Sequence, residues 1–245
     1  MNESITLERR DPLSMAPRIS LLDGFRLVRD GRDHKLPAGG QRVLAHLSLF
    51  GDPTRSHVSG TLWPDVPEDR AQANLRSTLW RLQRTCPGLI QGGGGRLSLS
   101  QDAAVDVVEL IAWARRVLAP DSEVTELDGL PTMLPGELLP GWYEDWVLIE
   151  REHIRQLRLH ALEVLADRLS CLGRYGSALE AAYAAVRAEP LRESAHRTVI
   201  KVHLAEGNTV DAVRQYDSFR EMLHGELGTK PSPFMSELVR GLRRR

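Results

Sequence analysis

The chain has 245 residues, 42% hydrophobic and 27% charged, with a formal net charge of −1, which is enough chain for two domains that each bury a core. No apolar run approaches the roughly 20 residues of a membrane span, and the N-terminal MNESITLERRDPLSMAP has no apolar core of the kind an export signal needs, so no membrane partner and a cytoplasmic location are expected. Cys86 and Cys171 lie far apart without metal-like spacing around either, which excludes a disulfide scaffold and fits a reducing compartment.

Charge is unevenly distributed. Residues 18–100 carry 12 Lys/Arg against 7 Asp/Glu, a net of +5, whereas 101–245 carry 18 against 23, a net of −5. A basic half beside an acidic half fits a nucleic-acid-binding module joined to one with a different partner.

Taken in order, residues 1–17 are expected to be a loose, disordered tail, with Met15 as an alternative start. Strand-like runs at 19–22 and 25–28 precede Asp30-Gly31, a hairpin turn toward a third run at 34–36. After the Pro37-Ala38-Gly39-Gly40 break, Val43, Leu44, Leu47 and Phe50 at helical spacing predict a helix over 41–50. A second helix runs over 56–63 and ends at Pro64. The third, 68–84, lies in the stretch DVPEDRAQANLRSTLWRLQR. Ala71, Leu75, Leu79 and Leu82 fall along one of its sides, and Arg70, Ser77, Arg81 and Arg84 along the other. Cys86-Pro87-Gly88 stops this helix, and LIQGGGGRLSLSQ then supplies short strands at 89–90 and 96–99 joined by glycines, a hairpin wing.

Arginine on the outer face of a helix is most often a solvated surface, and it is the hairpin after this one that turns the reading toward DNA. Three helices and a hairpin form a winged helix-turn-helix over 18–101, whose third helix enters the major groove while the wing meets backbone or minor groove. Asn74, Ser77, Arg81 and Arg84 are expected to face bases or nearby phosphates, with Arg70, Arg76 and Arg96 anchoring the backbone. Thr78 is carried as a further DNA-binding residue, nearer the core edge.

The remaining residues, 102–245, predict an all-α domain. An amphipathic helix spans 105–118 with Val107, Leu110, Ile111, Ala114 and Val117 on one face, and a surface loop follows between Pro120 and Pro135. Trp142, Tyr143 and Trp146 sit at a helix start, most of them expected in the core. Gly173 and Gly207 are 34 residues apart, as are Ala178 and Ala212, the tetratricopeptide period. Leu162, Leu165, Ala166, Gly173, Ala178, Ala185 and Pro190 form the first unit. His196, Val199, Ile200, His203, Gly207, Ala212, Tyr216 and Phe219 form a looser second, and a last helix spans 233–242.

Catalysis finds no support. Gly92 to Gly95 lead into Arg96-Leu97 without the Gly-Lys-Ser/Thr of a phosphate-binding loop, and no serine or cysteine sits in a nucleophile motif. His153 and His160, like His196 and His203, are seven residues apart, about 10.5 Å along a helix and too far to share a metal. His196 and His203 are expected to point into the repeat interior, hydrogen-bonded. No cofactor and no metal are expected.

Ser77 to Arg84, read with the wing, carries a family resemblance. Residues 18–101 resemble the OmpR-like DNA-binding domain of SARP-type antibiotic regulatory activators, whose third helix commonly carries Ser/Thr-x-x-x-Arg-Leu-x-Arg. The rest resembles the bacterial transcriptional activator domain of that family, most densely at Leu139-Pro140-Gly141-Trp142, at 192–197, and at Glu226-Leu227-Gly228 with Pro231-Ser232-Pro233. The chain departs from the pattern at Trp80, where a small polar residue is common, and at the glycine wing tip; both bear on which operator is read. The resemblance implies a pathway-specific activator of secondary metabolism that binds direct repeats in double-stranded DNA as a homodimer and contacts RNA polymerase holoenzyme. With helices and repeats filling the chain and no receiver or sensor segment read in it, activity is expected to follow the amount of protein. The second reading is an adaptor, a repeat scaffold whose winged helix contacts protein. Steep salt dependence separates a DNA binder from it.

Overall fold

The structure, a computed structural model, describes residues 16–120 and 136–240. The expected architecture is present: mostly α-helical, with a small N-terminal sheet and a wing. The chain divides into two compact units, Met1–Glu109 with Gly136–Arg151, and Leu110–Pro135 with Glu152–Arg245.

In the first unit, β1 (Arg18–Ser20), β2 (Arg26–Arg29) and β3 (Arg32–Asp33) lead into α1 (Ala38–Phe50), α2 (Arg55–Leu62) and α3 (Glu68–Thr85), followed by β4 (Ile90–Gly93), β5 (Arg96–Leu99) and β6 (Ala104–Val105). The sheet order is β3-β2-β1-β6. Ile19 pairs antiparallel with Leu27 and parallel with Val105, setting a row of buried aliphatics across one face. Asp30 and Gly31 turn with φ of 52° and 71°, the mirror-image turn that matches strand twist.

Three local expectations are corrected. The third strand is Arg32–Asp33 rather than 34–36, because only the His34 N–H, donating to Leu27 O at 2.8 Å, continues the ladder before the chain leaves to bury Leu36. Gly39 and Gly40 do not break the chain but lie in the first turn of α1. A Cβ on Gly40 would fall 3.2 Å from Leu82 Cδ2, so the missing side chain allows α1 to lie close on α3. Strand β6 falls where the helical half was expected to begin; two residues are too few to leave a periodic signal.

Asp106, buried, ties β1 to the turn of chain just after β6. Its carboxylate accepts from the N–H groups of Leu21 (2.9 Å), Leu22 (3.2 Å) and Val107 (2.6 Å). Burial raises its pKa, and these backbone donors pull it back. Gly136–Arg151 joins the unit through the same corner, with Leu139 N donating to Leu21 O at 2.8 Å and Asp23 N to Glu137 O at 3.0 Å. Arg151 fastens this segment, donating to the carbonyls of Leu138, Leu139 and Trp142.

Aromatic rings gather around His46, with Phe50 at 4.5 Å, Trp146 at 5.4 Å and His57 at 5.5 Å between centroids. Trp146 is core as expected, Trp142 is half-buried, and Tyr143 is 78% exposed. Among the described residues neither His46 ring nitrogen has a hydrogen-bond partner, and its pKa is lowered to about 4, first by burial and then by His57. A histidine with a depressed folded pKa takes up its proton more readily when unfolded. The stability it contributes is therefore intact above the ordinary value near 6.5 and is lost as pH falls toward 4. Four of the five tryptophans, Trp63, Trp80, Trp142 and Trp146, lie in the first unit, so fluorescence reports chiefly on its unfolding. Between pH 7 and pH 4, urea titrations are expected to show the native chain losing about 3 kcal/mol more than His46→Phe. Equal losses would contradict a neutral buried imidazole.

The helices after β6 are α4 (Asp106–Leu118), α5 (Asp145–Cys171), α6 (Tyr175–Ala188), α7 (Glu193–Glu206), α8 (Thr209–Leu227) and α9 (Pro233–Arg240). On α4 the buried face holds Val107, Leu110, Trp113, Ala114 and Val117, while Ile111 is only half-buried. Ile111 sits about 95 degrees from the centre of that face and Trp113 about 65. The expected loop between Pro120 and Pro135 lies outside the described residues after Pro120, as do residues 1–15 and 241–245.

In the second unit the helices stack as hairpins at the 34-residue offset seen in the sequence. Ala178, Ala181, Ala182 and Ala185 bury the inner face of α6, small residues that allow close helix contact. Ile200, Ala212, Tyr216, Phe219, Leu223, Met235 and Val239 form one core cluster of α7, α8 and α9. His196 is interior and bonded as expected. Its Nε2 donates to Pro190 O and its Nδ1 accepts from Gln215, each at 2.8 Å, which sets the neutral tautomer; burial lowers its pKa. His203 is buried, but among the described residues its Nδ1 has no partner, contrary to the expected hydrogen bond.

Candidate nucleic-acid interface

Helix α3 begins after Pro67 with Glu68 and Asp69 in its first turn and Arg84 in its last, an arrangement that complements the helix dipole. Its arginines are spread along the helix, Arg70 in the first turn beside Asp69, Arg76 midway, and Arg81 and Arg84 toward the C-terminal end. Ala71, Leu75 and Leu82 are at most 3% exposed and hold the helix to the unit. Leu79, expected beside them, is half-buried. It stands about 60 degrees from the centre of the apolar arc at about 100 degrees per residue.

Arg70, Asn74, Ser77, Arg81 and Arg84 are all exposed and fall within an arc of about 80 degrees centred about 120 degrees from the middle of the buried face. Arg76 is exposed too, but about 140 degrees around the helix from Arg81. Thr78 lies on the core margin, half-buried, with its Oγ1 3.6 Å from where a Gly39 Cβ would stand. Trp80 is 60% exposed beside the arginine arc.

The wing differs in detail from the expectation. Gly92 and Gly93 belong to β4, paired with Leu97 and Arg96, and only Gly94 and Gly95 turn. Both have positive φ, 58° and 80°, the same turn geometry as Asp30-Gly31. The hairpin is pinned to the α1–α2 connection, since Leu97 N donates to Pro53 O at 3.0 Å and Arg55 N to Gly95 O at 2.9 Å.

Arg96, expected as a backbone anchor, has its guanidinium on Asp52, with Nε 2.7 Å from Oδ2 and Nη2 on the Asp52 carbonyl. Arg55 was not singled out in the sequence. Its Nη2 lies 3.2 Å from the position of a Gly92 Cβ, so the guanidinium rests over the glycine strand. The signal for it is the Thr54 N-cap, whose side chain accepts from His57 N and puts the next residue at an exposed helix start.

Partnering separates these arginines. Arg18, Arg26, Arg29, Arg42 and Arg96 each meet a carboxylate. Among the described residues, Arg55 and the four arginines of α3 meet none. Guanidinium groups held outward without an internal counter-charge are available to phosphates and to guanine edges.

Among the described residues no group of three His, Cys, Asp or Glu side chains could hold a metal ion, and no helix is long and apolar enough to cross a membrane.

No curated protein matches the chain in sequence. Among solved structures it is similar to Mycobacterium tuberculosis EmbR in complex with low affinity phosphopeptide, with a TM-score of 0.71 at 18% identity, covering 94% of this chain and 65% of that one. The chain thus spans less than two thirds of that relative, and the likeness is one of fold. Residues 125–243 match the family model of the Bacterial transcriptional activator domain, and they follow the winged helix along the chain.

Proposed function

We propose that the chain is a sequence-specific DNA-binding transcriptional activator rather than an enzyme. The observation that carries this reading is the exposed arc of α3, in which Arg70, Arg81 and Arg84, beside Asn74 and Ser77, meet no carboxylate among the described residues. The match of residues 125–243 to an activator domain supports it from the other half of the chain. Helix α3 enters the major groove, with Asn74, Ser77, Arg81 and Arg84 toward the bases and Arg70 and Arg76 toward phosphates. Two copies occupy direct repeats, the helical unit contacts RNA polymerase, and the regulated genes belong to one pathway of secondary metabolism.

At the wing, Arg55 is the phosphate contact and Arg96 holds the hairpin in place through Asp52. Selection of bound sequences from random DNA at two salt concentrations tests the whole reading. One enriched motif, with affinity falling steeply as salt rises, is the expected result; no motif at either salt favours the adaptor. Arg55→Ala is expected to reduce the salt slope by about one ion, an effect that Asp52→Ala does not reproduce. An unchanged slope would remove Arg55 from the interface.

A further inference from the structure

Trp80 and Arg84 stand one helical turn apart on α3, with Arg84 Cζ 4.8 Å from the indole centroid. Trp80 is 60% exposed and takes no part in the core of the unit. A large aromatic ring left in water beside an arginine arc needs a reason, and its geometry supplies one. A guanidinium lying over an indole uses its face for the contact, while the N–H donors project from its edge. Among the described residues the Arg84 guanidinium meets no carboxylate. The contact therefore holds the Arg84 guanidinium beside the ring, and no carboxylate among the described residues engages its donors.

We infer that Trp80 is a positioning residue that presets the Arg84 guanidinium for a forked contact to the O6 and N7 atoms of one guanine, making this pair a determinant of sequence preference. The inference rests on the DNA-binding reading above and deepens it. An arginine on its flexible three-methylene stem without such a platform samples many rotamers, and ordering it on DNA costs conformational entropy. With the ring in place that ordering is already made in the free protein. Lys at position 84 would stack less well and present no fork.

The test compares the native chain, Trp80→Ala, Trp80→Phe, Arg84→Ala and the double Ala variant on the duplex that selection yields. Each is also measured on duplexes changed at single base pairs and on a scrambled duplex at the same salt. Arg84→Ala is expected to abolish the preference at one G·C pair. Trp80→Ala is expected to weaken preference at that same pair by about 5- to 10-fold, within the range of a single bidentate contact, while binding to scrambled DNA stays as in the native chain. Trp80→Phe keeps most of the preference, and the double variant is no worse than Arg84→Ala alone, the sign of a coupled pair.

Four results overturn the inference: no base preference lost with Arg84→Ala, native preference in Trp80→Ala, an equal loss on every duplex, or losses that multiply in the double variant. A native chain that enriches no motif overturns the DNA-binding reading and this inference with it. Because Trp80 is exposed, its substitution leaves the core residues of α3 in place, and far-ultraviolet circular dichroism checks that the helix content is unchanged.

Discussion

Replacing Arg81 by alanine is expected to weaken binding to the selected duplex by about 5- to 150-fold, the 1–3 kcal/mol that a bidentate arginine–guanine contact supplies. Arg81 is exposed, on the outward arc of α3, one residue before Leu82, which is 3% exposed and locks the helix against α1. The backbone at that turn is therefore held while the side chain is not, and the substitution removes a contact without disturbing packing. Arg81→Lys retains the positive charge but has no fork. It is expected to preserve the salt slope and lose most of the base discrimination. A gel shift indistinguishable from that of the native chain for Arg81→Ala would remove this residue from the interface.

Asp106→Ala is expected to destabilise the first unit by roughly 2–4 kcal/mol, measured as a shift of the urea midpoint followed by tryptophan fluorescence. The carboxylate accepts from the backbone N–H groups of Leu21, Leu22 and Val107. Leu21 and Val107 are 0% exposed, so removing the acceptor leaves donors away from water, and each such donor is expensive. Asp106→Asn retains one acceptor oxygen and is expected to lose less. A midpoint unchanged by Asp106→Ala would mean that the corner between β1 and α4 is held by other contacts.

The helical elements were legible because each needs only local pattern. In α3 the spacing of Ala71, Leu75 and Leu82 and the stop at Cys86-Pro87-Gly88 bound the helix and orient it, and Arg81 and Arg84 follow from that orientation. The 34-residue offset of Gly173 and Gly207 exposed the hairpin repeat in the same way. Where pattern was thin the outcome differed. Gly39-Gly40 reads as a break until Leu82 is seen against Gly40, and β6 is two residues whose strand character exists only through its partner β1. Thr78 and Leu79 sit at the margins of the helix faces, where a few tens of degrees and the shape of the neighbour decide burial. At the candidate interface Arg96 and Arg55 look alike in sequence. Asp52, 44 residues before Arg96, engages one, and Gly92 makes room for the other.

By itself the sequence determined the order of helices and turns, the outward arginine arc of α3 and the repeat of the second half, because periodicity and turn chemistry act over a few residues. Only the tertiary structure decided which guanidinium groups are spent on carboxylates and which are free, which glycine admits a neighbour, and which imidazole is stranded without a partner. Those outcomes depend on distances between residues remote along the chain, and on burial, which makes an unpaired polar group costly and a paired one unavailable to anything else.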